Sequence, residues 1–280
     1  MTGDTTPVTS EDIMLALGNR SLTCIDLSRP YVPDMPKSAS HPPYTHALQR
    51  RHGDRVRVDG GSAANDVIVL GTHVGTHMDA LAHISHNGML HGGVDAAEAQ
   101  KGGRFETHGI DAFPPYVGRG VLLDVPKALG VSACAPAQRI GSRELQAAAE
   151  VQGVEIMPDT VILVRTGWGQ YWDDQERYLG VASGVPGVDE DGAQWLVRHR
   201  ARAVGADTVA FECIPPGLGH ARLPAHRILL VEAGINIIET LDLETLSARG
   251  LSEFLLFLAP LNLKGATGAP VRPIAVVSWP

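Results

Sequence analysis

Two apolar runs in mid-chain, VLLDV at 121–125 and TVILVRT at 160–166, read as buried strands. Between them GSRELQAAAE at 141–150 reads as a helix with Ser142 as its N-cap. A helix set between two such strands packs across the sheet they share. DEDGAQWLVRHR at 189–200 reads as another helix and is followed by the strand-like AVGADTVAF. Further strands cluster near both ends: SLTCIDL at 21–27, then FLLFLAPL and IAVVSW. A short helix around LDLETLSAR is stopped by Gly250, a good residue just past a helix end. Alternation in the middle with strands at both ends argues an α/β class with mixed strand directions.

No composition break marks a linker, so the chain reads as one domain over 1–280. SEDIMLAL at 10–17, with Ser10 as N-cap, makes 1–20 an N-terminal helical arm. Residues 28–66 are rich in Pro, Gly, His and Arg and show little periodicity. A stretch that long without clear elements usually serves function or packs on a partner subunit.

Composition excludes several classes. The chain has 280 residues, 44% hydrophobic and 19% charged, which supplies a core of ordinary size. The formal net charge is -8 and no basic stripe is present, which argues against nucleic acid as a partner. No run of about 18 apolar residues is present, so no membrane span is expected. The N-terminus lacks a basic segment leading into an apolar run, and no signal peptide is expected. Cys24, Cys134 and Cys213 form no CxxC pair and read as buried, reduced thiols of a cytoplasmic protein.

The densest chemistry is HVGTHMDALAH at 73–83. His73, His77 and Asp79 offer two nitrogen ligands and one oxygen ligand, with His83 to spare. Such a set leaves coordination positions open on a divalent ion, as a catalytic site requires. His73 and His77 stand four apart, while His77 and Asp79 share one face of an extended segment. Gly75 and Thr76 let the backbone turn closely around an ion. The preceding VIVL would deliver the loop at a sheet edge. The HExxH zincin pattern is absent because Val74 stands where Glu is needed.

HVGTHMDALAH matches HxGTHxDxxxH and resembles the metal-dependent cyclase family, which includes kynurenine formamidases and isatin hydrolases. The later stretch LPAHRILLVEAGINIIETLDL resembles that family's second motif: a histidine, an apolar run and a glutamate. The resemblance implies a swivelling β/β/α fold, a mixed sheet with flanking helices, and a homo-oligomer, either homodimer or homotetramer. It implies His73, His77 and Asp79 as metal ligands and His83 as catalytic acid/base. His226 and Glu239 would complete the site, with Asp79 bridging to a second ion. Mn²⁺ and Zn²⁺ suit the donor set equally. The implied reaction is hydrolysis of the C–N bond of a small cyclic or aryl amide. Leu81 stands where formamidases carry Pro, and the chain is longer than a compact formamidase. Both favour isatin-like ring opening over the alternative, an arylformamidase acting on N-formylkynurenine.

Read alone, His226 is a histidine ahead of an apolar strand, and Glu239 is an acid among apolar neighbours that needs a partner. Glu232 is the competing acid nearby. Trp168 and Trp172 of TGWGQYW, with Phe211, are candidates for stacking on an aromatic substrate. Phe211 and Glu212 would form a pocket wall. Two other classes fit parts of the pattern. A non-haem iron oxygenase would use His77, Asp79 and His226 as a facial triad on a mostly β barrel. A non-catalytic metal-binding protein would hold the ion without turnover.

Overall fold

The structure is a computed structural model that describes residues 22–278. The expected helix at 10–17 lies outside the described residues. The strands before the long central one are β1 (Leu22–Asp26), β2 (Thr45–Arg50), β3 (Asn65–Val69), β4 (His77–Asp79), β5 (Gln100–Lys101) and β6 (Arg104–Phe105). The middle contributes β7 (Tyr116–Asp124), β8 (Arg139–Ile140), β9 (Val161–Arg165), β10 (Gly187–Val188), β11 (Ala203–Ala206) and β12 (Asn236–Glu239). β13 (Glu253–Leu258), β14 (Gly268–Pro270) and β15 (Ile274–Ser278) follow.

Nine of these form one sheet in the order β1-β15-β13-β7-β9-β11-β12-β4-β14. β7, β9, β11 and β12 run parallel, and antiparallel strands flank them on both sides. This is the mixed α/β sheet that the alternation predicts. Parallel neighbours need long crossovers, and the helices Ser142–Gln152 and Glu190–Arg198 lie in two of them.

Side chains alternate between the two faces of the central strands. On one face, Leu123, Ile162, Val164, Val204 and Ile237 meet Leu145 and Leu196 of the two helices. On the other, Leu122, Leu163, Ala203 and Ile238 meet Leu256 and Ala275 from the antiparallel part of the same curled sheet.

Several local expectations are corrected. Ser142 does not cap its helix from the N-cap position. Gly141 occupies it, Glu144 accepts the Gly141 N–H at 3.0 Å, and Asp191 of the next helix accepts the Ser142 N–H at 2.7 Å. The run after His226 does not open as a strand. Pro224 starts a helical turn, and residues Arg227–Ala233 continue it as a π-helix closed by Gly234 before β12 begins. The segment 28–66 contains a strand, β2, that pairs with β3 in a hairpin separate from the main sheet. VIVL therefore leads into the histidine loop but does not anchor it. Of the cysteines, Cys134 is buried, but Cys24 is exposed on the outermost strand β1. No helix among the described residues is long and apolar enough to cross a membrane.

Candidate metal centre

The site is built on two neighbouring strands. β4 and β12 pair antiparallel, with Glu239 opposite His77 and Ile238 opposite Met78. Met78 and Ile238 point into the core, so the alternate residues His77, Asp79 and Glu239 share the opposite face. β14 covers the other side of β4 with Gly268 opposite Asp79. A Cβ at Gly268 would lie 2.7 Å from the His73 ring, so glycine admits the ring over that strand. Gly75 has φ +62°, and a Cβ there would meet the Tyr31 ring at 2.8 Å. Thr76 ties the turn down: its hydroxyl donates to Thr240 O at 2.7 Å and accepts from Arg29 N at 2.8 Å.

The ligand atoms converge. His73 Nδ1 lies 2.7 Å and His77 Nε2 3.4 Å from Asp79 Oδ1. His226 Nε2 lies 3.7 Å from Asp79 Oδ2 and 3.2 Å from Glu239 Oε1, and His77 Nε2 lies 3.5 Å from Glu239 Oε2. Two triads result, His73–His77–Asp79 and Asp79–His226–Glu239, each with its donor atoms within 4.8 Å of one another. Asp79 belongs to both.

Outer contacts orient the rings. His77 Nδ1–H donates to Gly75 O at 2.8 Å, which leaves the Nε2 lone pair facing the centre. His226 Nδ1 lies 2.6 Å from Glu212 Oε2, and donation there leaves Nε2 facing Asp79 and Glu239. His73 Nε2 meets the Thr267 hydroxyl at 2.9 Å, leaving Nδ1 for the centre. Carboxylates, carbonyls and hydroxyls behind ligating histidines are the usual way such rings are oriented.

The donor set fits a divalent cation. Among the described residues, three buried side-chain polar atoms lack a hydrogen-bond partner: His77 Nε2, Asp79 Oδ2 and Thr208 Oγ1. The first two are ligand atoms. Leaving them bare in the interior costs about 1–3 kcal/mol each, more where charge is involved. A cation held by these residues would satisfy both.

The electrostatics agree with a dense site. Burial opposes the charge on Asp79, and the imidazoles of His83, His73 and His77 more than offset it, holding the carboxyl well below the usual range. Burial also opposes charge on His226, but Glu212 and Glu239 raise it to about 10. Burial pushes His83 down to about 3 against the pull of Asp79, with His73, His226 and His77 adding to the depression. The His83 ring stacks on His73 with centroids 3.8 Å apart. His83 has no donor atom in either triad.

Glu212 is the residue that sequence reasoning placed only on a pocket wall. Buried to 1% exposure, it accepts from the backbone N–H of Ala225 and His226 as well as from His226 Nδ1. Its one sequence signal is an acid set among Ala210, Phe211 and Cys213. Phe211 before it and Thr240 after Glu239 both have positive φ, 57° and 62°. For residues with a Cβ this conformation is strained, and such strain gathers at functional sites. Glu212→Gln is expected to weaken metal binding about 10- to 100-fold while leaving the fold intact. Competition with a chelating dye measures this, and unchanged affinity would remove Glu212 from the site.

The other candidates are placed as follows. Glu232 is exposed, pairs with Arg227 at 3.1 Å and belongs to neither triad. Trp168 is enclosed beside Val74 in the core cluster behind the metal loop, and its indole N–H donates to Tyr178 O at 2.9 Å. Phe211 is fully enclosed in the helix-covered core, so neither ring offers a free face. Trp172 belongs to the same cluster as Trp168 and lies edge-on to Tyr178. From segment 28–66 comes a residue the sequence did not single out. The His41 ring stacks on His73 with centroids 5.4 Å apart.

A mixed sheet that presents two carboxylate-bridged histidine triads defines a class of metal-binding α/β protein. The Cyclase family model matches residues 25–213, and the chain belongs to that family. An isatin hydrolase from Roseibium aggregatum is 24% identical over 223 residues, 78% of this chain and 77% of its own. A crystal structure described as a novel cyclase superposes with a TM-score of 0.83 at 27% identity, covering 96% of this chain and 93% of that one. An isatin hydrolase bound to the product analogue thioisatinate has a TM-score of 0.72 at 20% identity, covering 97% of this chain and 100% of that one. These likenesses bear out the cyclase-type fold that the HxGTHxDxxxH resemblance implies.

Proposed function

We propose that this protein is a metal-dependent hydrolase that cleaves the C–N bond of a small cyclic or aryl amide, with isatin-like ring opening favoured. The observation that carries the reading is the pair of bare buried ligand atoms, His77 Nε2 and Asp79 Oδ2, beside the His83 ring, which stacks on His73 outside both triads. His73, His77 and Asp79 hold one Mn²⁺ or Zn²⁺, and Asp79, His226 and Glu239 offer a second position. The ion, when bound, supplies a Lewis acid for the carbonyl and lowers the pKa of water. His83 accepts a proton from water and returns it to the leaving nitrogen. Its uncharged ring is the form that accepts, and stacking on His73 fixes its plane. Glu212 holds His226 in the ligating tautomer, and Thr76 holds the loop against Thr240.

The relatives named isatin hydrolase support the cyclic amide as first choice, with an arylformamidase as the alternative. The oxygenase reading expects a mostly β barrel and leaves His73 and His83 unused. The test follows absorbance during reaction of isatin and N-formylkynurenine with protein loaded separately with Mn²⁺ and Zn²⁺. Turnover of one, abolished by chelator and restored by metal, is the expected result. Metal uptake without turnover of either would refute both amide assignments.

A further inference from the structure

A cavity of about 590 Å³ is lined by none of the ligand residues and has no part in the proposed metal chemistry. Its size is in the range of small-molecule sites, roughly 300–1,000 Å³. One wall is apolar, made by Leu179, Val209 and Ile214, which pack in the same cluster as Val74 of the metal loop. The polar lining residues include Lys37, Ser40, Gln175 and His220.

Two features make this lining unusual. No acidic residue lines the cavity, in a chain whose net charge is -8. Lys37 is half-buried, yet no carboxylate pairs with it among the described residues. One lining residue is next in sequence to a residue that touches the centre. Ser40 lines the cavity, and the next residue, His41, stacks on the ligand His73.

We propose that this cavity binds a carboxylate carried by the substrate, with Lys37 as the charge partner and Gln175 and His220 as hydrogen-bonding groups. The apolar wall takes the aryl or alkyl body, and the scissile amide lies toward His73. The substrate is then an amphipathic, monoanionic amide. The proposal rests on the amide-hydrolase reading for the bond cleaved, but not for the anion held.

The experiment compares 4-formamidobenzoate with formanilide, which share the amide and differ in one carboxylate remote from it. The metal-loaded protein is expected to prefer the anion, and Lys37→Met to reduce the ratio of the two kcat/KM values about tenfold. A wild-type ratio near unity, or a ratio that Lys37→Met leaves unchanged, overturns the proposal while the amide reading stands. If neither amide is cleaved, calorimetric titration of the metal-loaded protein with benzoate decides. Binding weakened about tenfold by Lys37→Met upholds the anion site without the amide chemistry. Equal binding in both proteins, or none, overturns it. Should Lys37→Met melt early, Gln175→Leu, at an exposed position, is expected to lower the same ratio and is read in the same way.

Discussion

Asp79→Ala is expected to lose its metal altogether, with bound ion falling from stoichiometric to background by elemental analysis. The reason is geometric. Asp79 gives Oδ1 to the His73–His77 triad and lies with Oδ2 toward His226, so one substitution removes a ligand from both positions. Turnover should fall by more than ~10³-fold, since a Lewis-acidic ion contributes several kcal/mol to such a reaction. The carboxylate is 1% exposed and accompanied by imidazoles, so its loss also removes repulsion-balancing charge from the interior. Asp79→Asn keeps the shape and separates metal loss from misfolding. If a well-folded Asp79→Ala protein keeps a stoichiometric ion, the two-triad centre is wrong.

His83→Ala is the complementary case. His83 stacks on His73 but supplies no atom to either triad, so the variant should keep its metal. Its kcat should drop by about 10²- to 10⁴-fold, the usual range for a positioned proton-transfer group. Parallel metal analysis and steady-state kinetics on one preparation check both halves. A variant that loses its ion would make His83 a ligand, and one that keeps full turnover would leave the proton transfer to another group.

The two cases differ in how much of their basis was visible in the sequence. His73, His77, Asp79 and His83 stand within one short stretch, so a local motif sufficed to find them. His226 and Glu239 are remote, and only the likeness to a second motif joined them to the first. What placed Glu239 against His77 is strand register, a pairing that spacing along the chain cannot express. Glu212 reads from sequence only as a pocket wall because its partner His226 is reached through the turn at Pro224. That turn was itself misread: ILLV has the apolar, β-branched look of a strand, and the helix-starting proline before it carried the better signal. The central fold was legible because buried parallel strands and amphipathic helices have strong periodicities. β2, THALQR, was not, because a hairpin exposed on both faces imposes no apolar alternation.

The pairing of β4 with β12 gives the ion a second consequence, for the folding of the chain. The Asn236 side chain bonds to the Asp79 carbonyl across 157 positions of sequence. A cation held by Asp79, His226 and Glu239 would therefore be a cross-link that closes a loop of similar length. Closing a loop costs entropy that grows with the logarithm of its length, and a ligand that binds only the closed form offsets that cost by mass action. A bound ion would thus help to hold the sheet edge made by β12, β4 and β14 as well as serve the chemistry proposed on its face.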